Sequence, residues 1–571
     1  MEKIRASRAS RTFIRALSII AAASFVASCG GGGGGSTAPT TTNSATAPPT
    51  STFGLRVYNG HLVDSTGNPV QLRGVNVSGL EFVAIQGWDP SDPFGGGPGG
   101  DASTFVPAIK TWQANAIRLP LNEASWLGTT TIDTSGSVHV SDPGGNYRAT
   151  VAATIAAANA AGMYVIVDLH WAAPGISAPM LQTQMADADN SIAFWTSFAD
   201  TYKNNPAVVF ELYNEPYLYG VTSTSDQWKA LMTGATLSYF PATGNTGIYQ
   251  NVFIVSLGSA SGTFVAGETV TSGAASAVVN HWEPASGRLF IQAASGGPLL
   301  TASPFTKGAQ ITGGTSNATG TIANPSVGWS LAGMQQMINA IRGTGSTNVI
   351  LVGGVSYNND LSGWSANKPN DPLGQMGATW HPYPPAQFVG AVAVAAGGSG
   401  YAVNDTITLP QPNTVYSPAQ FTVSGVDASG AVTAVSITQG GSYLQTSLPA
   451  NPVAQASTSG KGSGASFNLT FYNLGSTWSL PANWPTVTAI VASGVPVVMT
   501  EIGEHDAAGT VGSPFLQQLL PWADSHGISY LGWTWDVWQN ADDVLIKDAA
   551  GTPTDGYGVY YHQHLLDPSG P

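Results

Sequence analysis

Two glutamates stand in short motifs directly after apolar runs of the chain, where they could act as a pair. Glu215 lies in Asn-Glu-Pro after the run 208–213, and Glu501 lies in Thr-Glu-Ile-Gly after the run 496–500. If both runs are parallel strands, their carboxyl ends meet at one face and bring the two side chains together. Two carboxyl groups about 5 Å apart, one protonated and one ionised, can protonate a leaving group and attack the carbon that it leaves.

These motifs need a scaffold that holds both of them at one face. Eight short runs rich in β-branched and aliphatic residues alternate with helical patterns, which is typical of repeated βα units. The runs are 71–76, 116–120, 164–169, 208–213, 348–352, 376–380, 496–500 and 528–532. The helical patterns include 149–161, 191–203, 331–342 and 515–525. The sequence therefore predicts an α/β fold, a (β/α)8 barrel of the TIM type, with both glutamates at the carboxyl ends of strands.

Further polar and aromatic residues stand at or beyond the ends of these runs. They are Arg118, His170, Asn214, His381, Tyr383, Trp533 and Trp535. Their motifs are Ile-Arg-Leu-Pro, Val-Asp-Leu-His, Asn-Glu-Pro, Trp-His-Pro-Tyr and Gly-Trp-Thr-Trp-Asp, in this order. One tripeptide would be weak evidence, but an ordered set at successive strand ends is specific. Together with the two glutamate motifs, the set resembles glycoside hydrolase family 5, the cellulase family.

The resemblance covers the segments 53–250, 326–387 and 474–571. It implies a retaining glycosidase in which Glu215 is the general acid and base and Glu501 is the nucleophile. It also implies a β-linked polysaccharide as substrate. The first candidate is β-1,4-glucan, cleaved at internal bonds of the polysaccharide. Mannan, mixed-linkage glucan, xyloglucan and small glycosides stay open, because substrate specificity lies in loops where this chain departs from the family pattern.

The same resemblance gives roles to the residues around the glutamate pair. Arg118 is expected to hydrogen-bond the nucleophile and keep it ionised, and the Tyr383 hydroxyl is expected to reach the same carboxylate. Asn214 is expected to bond the 2-hydroxyl of the sugar, a contact that strengthens in the transition state. His170 and His381 are expected to contact the substrate.

Several tryptophans could offer a sugar an apolar face. The resemblance implies this role for Trp533 or Trp535, and Trp533 fits the family pattern slightly better. Other tryptophans that could line sugar subsites are Trp88, Trp126, Trp171 and Trp364. Each of these four is as well explained by packing in the core.

Alternative roles remain for some of the candidate residues. Glu504 follows Glu501 closely and is a rival nucleophile, although a supporting position beyond the strand fits it better. His170 and His381 could be metal ligands, but no His, Cys or carboxylate cluster at ligand spacing surrounds them. We therefore predict neither a metal nor another cofactor.

Two long stretches interrupt the alternation of strands and helices. Residues 251–325 and 388–473 are rich in Gly, Ser, Thr and Val with alternating polarity, which predicts β-rich insertions after the fourth and sixth strands. The first contains an internal repeat, in which 264–271 matches 305–312. Both insertions would rise on the face of the active site, where they could wall the cleft or hold a glycan. Simple tolerance of insertion in these loops explains them as well.

The amino terminus indicates export. Residues 1–28 combine a basic start with the apolar stretch 17–27, which is typical of a signal peptide and too short to span a bilayer. The stretch ends in Val-Ala-Ser-Cys, which resembles a bacterial lipobox and makes Cys29 the expected lipidation site. Residues 29–52 would then be a flexible tether. We expect a lipid-anchored protein at the outer membrane or cell surface, or a secreted one if Cys29 is an incidental cysteine.

Composition excludes some partners. The 571 residues carry a net charge of −14, and basic residues cluster at the amino terminus, so the positive surface that nucleic acid requires is missing. Cys29 is the single cysteine, and no disulfide can form within the chain. The predicted partner is a β-glucan or related polysaccharide, with the membrane contacted only through a lipid anchor, and we expect a monomer.

Two other classes of function compete with a glycosidase. The barrel could persist as a non-catalytic, surface-anchored glycan-binding protein, but such a protein does not need Arg118 and Tyr383 beside Glu501. A structural or adhesive lipoprotein dominated by the insertions is the other alternative. The full set of barrel strands makes that role subsidiary.

Overall fold

The computed structural model describes residues 53–568 apart from short gaps. The gaps are 219–220, 222, 244–248, 295–296, 385, 411–417, 442, 445–447, 475–478, 480, 505–512, 514, 539–543 and 556. The predicted signal 1–28, Cys29 and the tether 29–52 lie outside the described residues.

Eight parallel strands close into a barrel. Strands 1 to 8 are Arg73–Asn76, Ala116–Asn122, Tyr164–Trp171, Val208–Glu211, Ile350–Val352, Met376–Thr379, Val497–Ile502 and Ser529–Gly532. Each strand pairs with its neighbours in chain order, and strand 8 pairs with strand 1. The strands are almost wholly buried because side chains fill the interior while helices cover the outside, which explains their continuous apolar runs. The predicted (β/α)8 barrel is confirmed.

Helices surround the barrel. Helices α1 to α11 are Val83–Gln86, Ala102–Thr111, Glu123–Leu127, Tyr147–Ala160, Ser191–Tyr202, Thr224–Thr233, Met334–Gly343, Trp364–Asn367, Trp484–Ala492, Leu516–Ser525 and Tyr557–Leu566. Helix α7 shows how they pack, because its buried residues recur at helical spacing and form one stripe: Met334, Met337, Ile338 and Ile341. It begins later than the predicted residue 331, since the backbone of Leu331 still bonds to Ala235.

Short elements complete the barrel. A hairpin of Leu55–Tyr58 and His61–Asp64 packs against the starts of the barrel strands. A second hairpin, Thr130–Ile132 with Val138–Val140, follows strand 2. The remaining short elements are a pair of Thr236–Leu237 with Trp329–Ser330 and a 3-10 helix at Pro481–Asn483. Within the described residues, no helix has both the length and the apolarity that a membrane crossing needs.

The first insertion is an antiparallel β unit between strand 4 and helix α7. Its strands are Tyr239–Thr243, Tyr249–Ser261, Thr269–Ser272, Ala275–Glu283, Arg288–Gln292, Gln310–Gly313 and Thr319–Asn324. The strand Tyr249–Ser261 also pairs with Thr319–Asn324, which closes six of the strands around a separate apolar core. The unit begins at Tyr239, before the predicted boundary at 251.

The internal repeat of the first insertion is visible in its structure. Phe264 and Phe305 occupy the same place in the two copies, and both are buried in the core of the unit. Gly267 and Gly308 follow at equivalent turns, each with a φ of +82°, a conformation that favours glycine. The strands that follow these turns pair with each other.

The second insertion follows strand 6 and consists of two four-stranded antiparallel sheets. One sheet contains Ala386–Ser399, Tyr443–Leu444, Val453–Ala454 and Ser463–Leu474, and the other contains Thr406–Thr408, Gln420–Val426, Val432–Gln439 and Ser457–Thr458. The two sheets share one apolar core. Because both insertions follow strands at their carboxyl ends, they stand on the face of the barrel that carries the candidate residues.

Candidate active site

Glu215 is held just beyond strand 4 by an unusual backbone conformation. Its φ of +46° is left-handed, which a non-glycine residue keeps only where its surroundings fix it. The side-chain amide of Gln182 donates to the carbonyl oxygens of Asn214 and Glu215, at 3.1 and 2.6 Å. The Glu215 side chain is buried, and its Oε1 lies 3.2 Å from Nδ1 of His381. Burial, and then the charge of Glu501, raise the pKa of Glu215.

Glu501 lies near the end of strand 7, where pairing with strand 8 is irregular between Met499 and Ile502. Successive residues of a regular strand face opposite sides, and irregularities of this kind re-aim side chains near functional sites. Oε1 of Glu501 accepts a hydrogen bond from the Tyr383 hydroxyl at 2.7 Å, and Oε2 accepts one from Nη1 of Arg118 at 3.0 Å. Donors therefore fix both oxygens of this carboxylate.

The two glutamates face each other at close range. A carboxylate oxygen of Glu215 and one of Glu501 lie within 4.8 Å of each other, and Nδ1 of His381 lies near both. Glycosidases that attack the sugar directly hold their two carboxyl groups about 5 Å apart, whereas those that place a water between them need roughly 6.5–9.5 Å. The spacing in this chain fits direct attack and a covalent intermediate.

Arg118 contacts most of the polar groups of the site and has no exposed surface. Besides Glu501, its guanidinium donates to Glu211 at 2.7 Å and to Asn76 and Asn214 at 2.9 Å each. Asp168 lies 3.2 Å from Nη2. Burial alone would lower the pKa of Arg118, but the surrounding carboxylates raise it, so the residue stays charged. The sequence interpretation missed Asn76, Asp168 and Glu211.

His381 connects the two glutamates to a buried carboxylate. Its Nδ1 faces Glu215, and its Nε2 lies 2.9 Å from Oγ1 of Thr500 and 3.5 Å from Glu211. Burial opposes the charged form of His381, but Glu501 and then Glu211 and Glu215 raise its pKa to about 9. Burial likewise opposes ionisation of Glu211, yet Arg118 and then His381 lower the pKa of Glu211 to about 2.

His170 and Trp533 form the aromatic side of the site. Nδ1 of His170 lies 2.9 Å from Asp168, and Nε2 lies 3.3 Å from the amide of Asn214. Burial would lower the pKa of His170, but the Asp168 carboxylate raises it. The His170 and Trp533 rings lie parallel, with centroids 5.8 Å apart, and Trp533 stays partly exposed. The structure thus brings eight of the nine candidate residues together.

A comparison with known families decides which family this arrangement represents. A family model described as cellulase (glycosyl hydrolase family 5) matches residues 63–254 and 318–425, just over half of the chain. This chain belongs to glycoside hydrolase family 5. The family match stops before Glu501. This residue lies on strand 7, which is part of the same closed barrel as the matched strands. It also leaves out 255–317, which is most of the first insertion.

Curated endoglucanases are similar to part of this chain. Endoglucanase N of Pectobacterium atrosepticum is 28% identical over 175 residues, which is 30% of this chain and 31% of the relative. Endoglucanase 5 of Pectobacterium carotovorum subsp. carotovorum is 27% identical over 175 residues, 30% of this chain and 28% of the relative. The chain therefore aligns with about a third of the length of these curated relatives. A β-glucanase structure from Saccharophagus degradans has 15% identity, covers 90% of this chain and 93% of its own, and has a TM-score of 0.42.

The tryptophans of this family 5 chain divide into core and surface. Trp533 and Trp535 were the two alternatives for the sugar platform. Trp535 has no exposed surface and packs on Trp112 with centroids 4.9 Å apart, which excludes it from this role. Two other candidates, Trp126 and Trp364, are also buried in the core. The remaining two lie beside Phe82 at the surface: Trp88, which is 54% exposed, and Trp171.

Glu504, the rival nucleophile, has a structural position. It is buried, and its carboxylate accepts hydrogen bonds from the backbone N–H groups of Phe515 and Leu516 at 3.0–3.2 Å. These groups open helix α10, whose amino-terminal N–H groups have no partner within the helix and favour a negative charge. Glu504 therefore caps a helix.

One group in the described residues has the spacing of metal ligands, and it is the candidate active site itself. Glu215, His381 and Glu501 each offer one ligand atom, all within 4.8 Å of one another. However, the Arg118 guanidinium already occupies Oε2 of Glu501. Its fixed positive charge disfavours a cation at the same oxygen. The geometry suits proton transfer and nucleophilic attack better than metal binding.

Proposed function

We propose that this chain is a retaining endo-β-1,4-glucanase that works by double displacement, with Glu215 as general acid and base and Glu501 as nucleophile. The observation that carries the proposal is that one carboxylate oxygen of Glu215 lies within 4.8 Å of one carboxylate oxygen of Glu501. Family 5 membership supports the same chemistry.

In the first displacement, Glu215 gives its proton to the leaving glycosidic oxygen while Glu501 attacks the anomeric carbon. The raised pKa of Glu215 favours its protonated form before the reaction. Tyr383 and Arg118 hold the two oxygens of Glu501, so that the attacking carboxylate is oriented in advance. The bond to the leaving oxygen breaks, and a glycosyl ester of Glu501 forms.

In the second displacement, Glu215 acts as a base. Esterification removes the charge of Glu501, which helped to raise the pKa of Glu215, so the pKa of Glu215 falls and its carboxylate persists. This carboxylate takes a proton from water as the water oxygen attacks the anomeric carbon. Glu501 leaves as a carboxylate, and two inversions give net retention.

Neighbouring residues supply binding contacts in this proposal. Asn214 lies between Arg118 and His170 and presents its amide to the 2-hydroxyl of the sugar. The partly exposed Trp533 stacks on the apolar face of a sugar ring. The relatives named endoglucanase favour a β-1,4-glucan over other β-linked substrates.

Sugar release from a substrate panel tests this function. The mature chain and its Glu501→Gln variant would be incubated with soluble cellulose, mixed-linkage glucan, mannan and xylan, and reducing ends would be counted. Activity on soluble cellulose that the variant loses supports the proposal. No release from any β-glucan by the unmodified chain would contradict it.

We also propose that 1–28 is an export signal and that Cys29 is lipidated, with 29–52 as a tether. The basic start, the short apolar stretch and Val-Ala-Ser-Cys support this assignment. Cys29→Ser should then release the protein from the membrane fraction. Sedimentation of the variant with membranes, as for the unmodified chain, would count against lipidation.

A further inference from the structure

A cavity opens where the first insertion meets the loop after strand 3. Its volume is about 400 Å³, which lies within the range of small-ligand pockets. The loop contributes Gly175 and Ile176, and the insertion contributes Trp282, Glu283, Ser286 and Arg288 among others. None of these residues belongs to the site around Glu215 and Glu501. We refer to it as the junction cavity.

The junction cavity has an apolar surface with a fixed aromatic ring. Trp282 is partly exposed, and its ring meets Phe264 edge to face with centroids 5.5 Å apart, which fixes its orientation. Ile176, which is 37% exposed, also lines the cavity. A flat indole next to an exposed aliphatic side chain is a surface on which the C–H face of a sugar ring can stack.

The charged groups that line the cavity are one acid and one base, Glu283 and Arg288. Arg288 pairs with Glu283 at 2.7 Å and with Asp189 at 2.9 Å, so its positive charge is neutralised. An anionic ligand would have to compete with these carboxylates, and a cation would meet the guanidinium. Ion-paired groups still present hydrogen-bonding edges to solvent. An apolar surface beside ion-paired groups that can still form hydrogen bonds suits an uncharged polyhydroxy ligand.

The cavity is formed before any ligand binds. The backbone N–H of Ile176 donates to Glu283 at 3.2 Å, and Gly175, with a φ of +64°, allows the loop to approach Glu283 closely. Asn280 of the insertion donates to the carbonyl oxygen of Asp133 in the hairpin after strand 2, at 3.2 Å. A preformed site loses little entropy on binding.

The cavity is close to the active site along the chain. His170, in strand 3, and Ile176, in the loop that follows it, are six residues apart, so their backbones are separated by no more than about 22 Å. Most of the cavity wall belongs to residues that the family model leaves out. The cavity is therefore a feature of this chain beyond the matched part of family 5.

We propose that the junction cavity is a second carbohydrate site, which binds a sugar unit of the same polysaccharide through Trp282. This inference rests on the proposed function and names an additional contact of the enzyme with its substrate. A polymer would occupy both sites, whereas a short glycoside would occupy only the active site.

The test separates polymer binding from catalysis. Trp282→Ala is expected to raise KM for soluble cellulose about tenfold, the loss of one stacking contact, with kcat unchanged. Hydrolysis of an aryl β-cellobioside should stay within about twofold of the unmodified chain, since this substrate cannot span the two sites. Ala285 lies at an exposed turn that lines the cavity. Ala285→Lys should also raise KM for soluble cellulose, and this substitution removes no side-chain packing contact.

Ala274→Lys is the matched control, because it makes the same change at an exposed turn of the insertion that does not line the cavity. An unchanged KM for soluble cellulose in both cavity variants would overturn the inference. An equal loss on the aryl cellobioside would also overturn it, because the effect would then act on the active site. If the unmodified chain hydrolyses no β-glucan, the proposed function fails before the variants are compared.

Discussion

At the scale of single residues, one guanidinium organises most of the site. Arg118 bonds to Glu501 and Glu211, and Asp168 lies 3.2 Å away, all in the buried end of the barrel. An unpaired carboxylate at this depth would be costly, and Arg118 stabilises all three acids. His381, with a pKa raised to about 9, supplies a second positive charge, 3.5 Å from Glu211.

Arg118→Lys should therefore impair both activity and stability. A lysine carries the charge but cannot bond Glu501, Glu211 and Asn214 at once. We expect kcat/KM to fall about 100-fold and unfolding to become easier by about 1–3 kcal/mol. Arg342→Lys is the control, because Arg342 pairs with Asp371 in a buried position outside the site. An activity loss no larger than that of Arg342→Lys would contradict the account.

The pH dependence of activity should respond to His381. The positive charge of His381 lies 3.2 Å from Glu215 and lowers its pKa, against burial and Glu501, which raise it. In His381→Asn the pKa of Glu215 rises, so this acid stays protonated to higher pH. The alkaline limb of the kcat/KM profile therefore moves to higher pH. His564→Asn, which changes a buried histidine paired with Asp524 at the other end of the barrel, should leave the limb in place. An alkaline limb that stays or moves down in His381→Asn contradicts this prediction.

The sequence could predict the residues that follow strands but not all of those inside them. Asp168 stands two residues before His170, and this spacing in a strand places both on one face, so a signal was present. For Glu211 the sequence showed only one isolated charged residue within an apolar run, which does not indicate a role in the site. Trp533 and Trp535 follow a strand in a loop of irregular backbone, where alternation no longer indicates which side chain faces the core.

At the scale of elements, the loop after strand 3 and the hairpin after strand 2 bind the first insertion to the barrel. Gly175 has no space for a side chain, because a Cβ would lie 2.3 Å from Oε1 of Glu283 and 3.2 Å from Arg288. Glu283 cannot move freely, since Arg288 and the N–H of Ile176 hold it. The junction is therefore a tight contact between two elements.

Gly175→Ala should lower the melting temperature more than Gly128→Ala. Both glycines have positive φ, so both variants incur a backbone cost of about 1 kcal/mol, but nothing lies within 4 Å of a Cβ at Gly128. The additional loss in Gly175→Ala comes from displacing Glu283. Calorimetric melting of the two variants measures the difference, and equal losses would show that the contact contributes nothing.

The barrel strands were predictable because strands buried on both faces give continuous apolar runs. The start of the first insertion was not predictable. The strand Tyr239–Thr243 contains aromatic and small residues that fit either a barrel loop or a β unit, and only its pairing with Tyr249–Ser261 assigns it to the insertion.

At the scale of the whole molecule, a buried acid pair should make stability depend on pH. Glu123 and Asp187 both accept a hydrogen bond from the single hydroxyl of Ser191, at 2.7 and 3.2 Å, and neither is exposed. Burial raises the pKa of Asp187 to about 6, and burial with the charge of Asp187 raises the pKa of Glu123 well above its usual range. The folded state therefore holds protons that the unfolded chain has released at the same pH.

Stability should fall as pH rises from about 4 through the raised pKa values, because the folded state binds more protons than the unfolded one. Asp187→Asn removes one of these acids. The melting temperature of this variant should therefore fall less between pH 4.5 and pH 8 than that of the unmodified chain. Asp200→Asn, at an exposed position of helix α5, is the control and should keep the slope of the unmodified chain. The same slope in Asp187→Asn would show that the pair does not govern the pH dependence.

The central claim is that Glu215 and Glu501, with a carboxylate oxygen of each within 4.8 Å of the other, cleave a β-glucan by double displacement. Proton NMR of the anomeric signals during hydrolysis of a cello-oligosaccharide tests it most directly. The account predicts that the β-anomer of the new reducing end forms first and then mutarotates. The α-anomer as first product would require an inverting mechanism and would contradict the account.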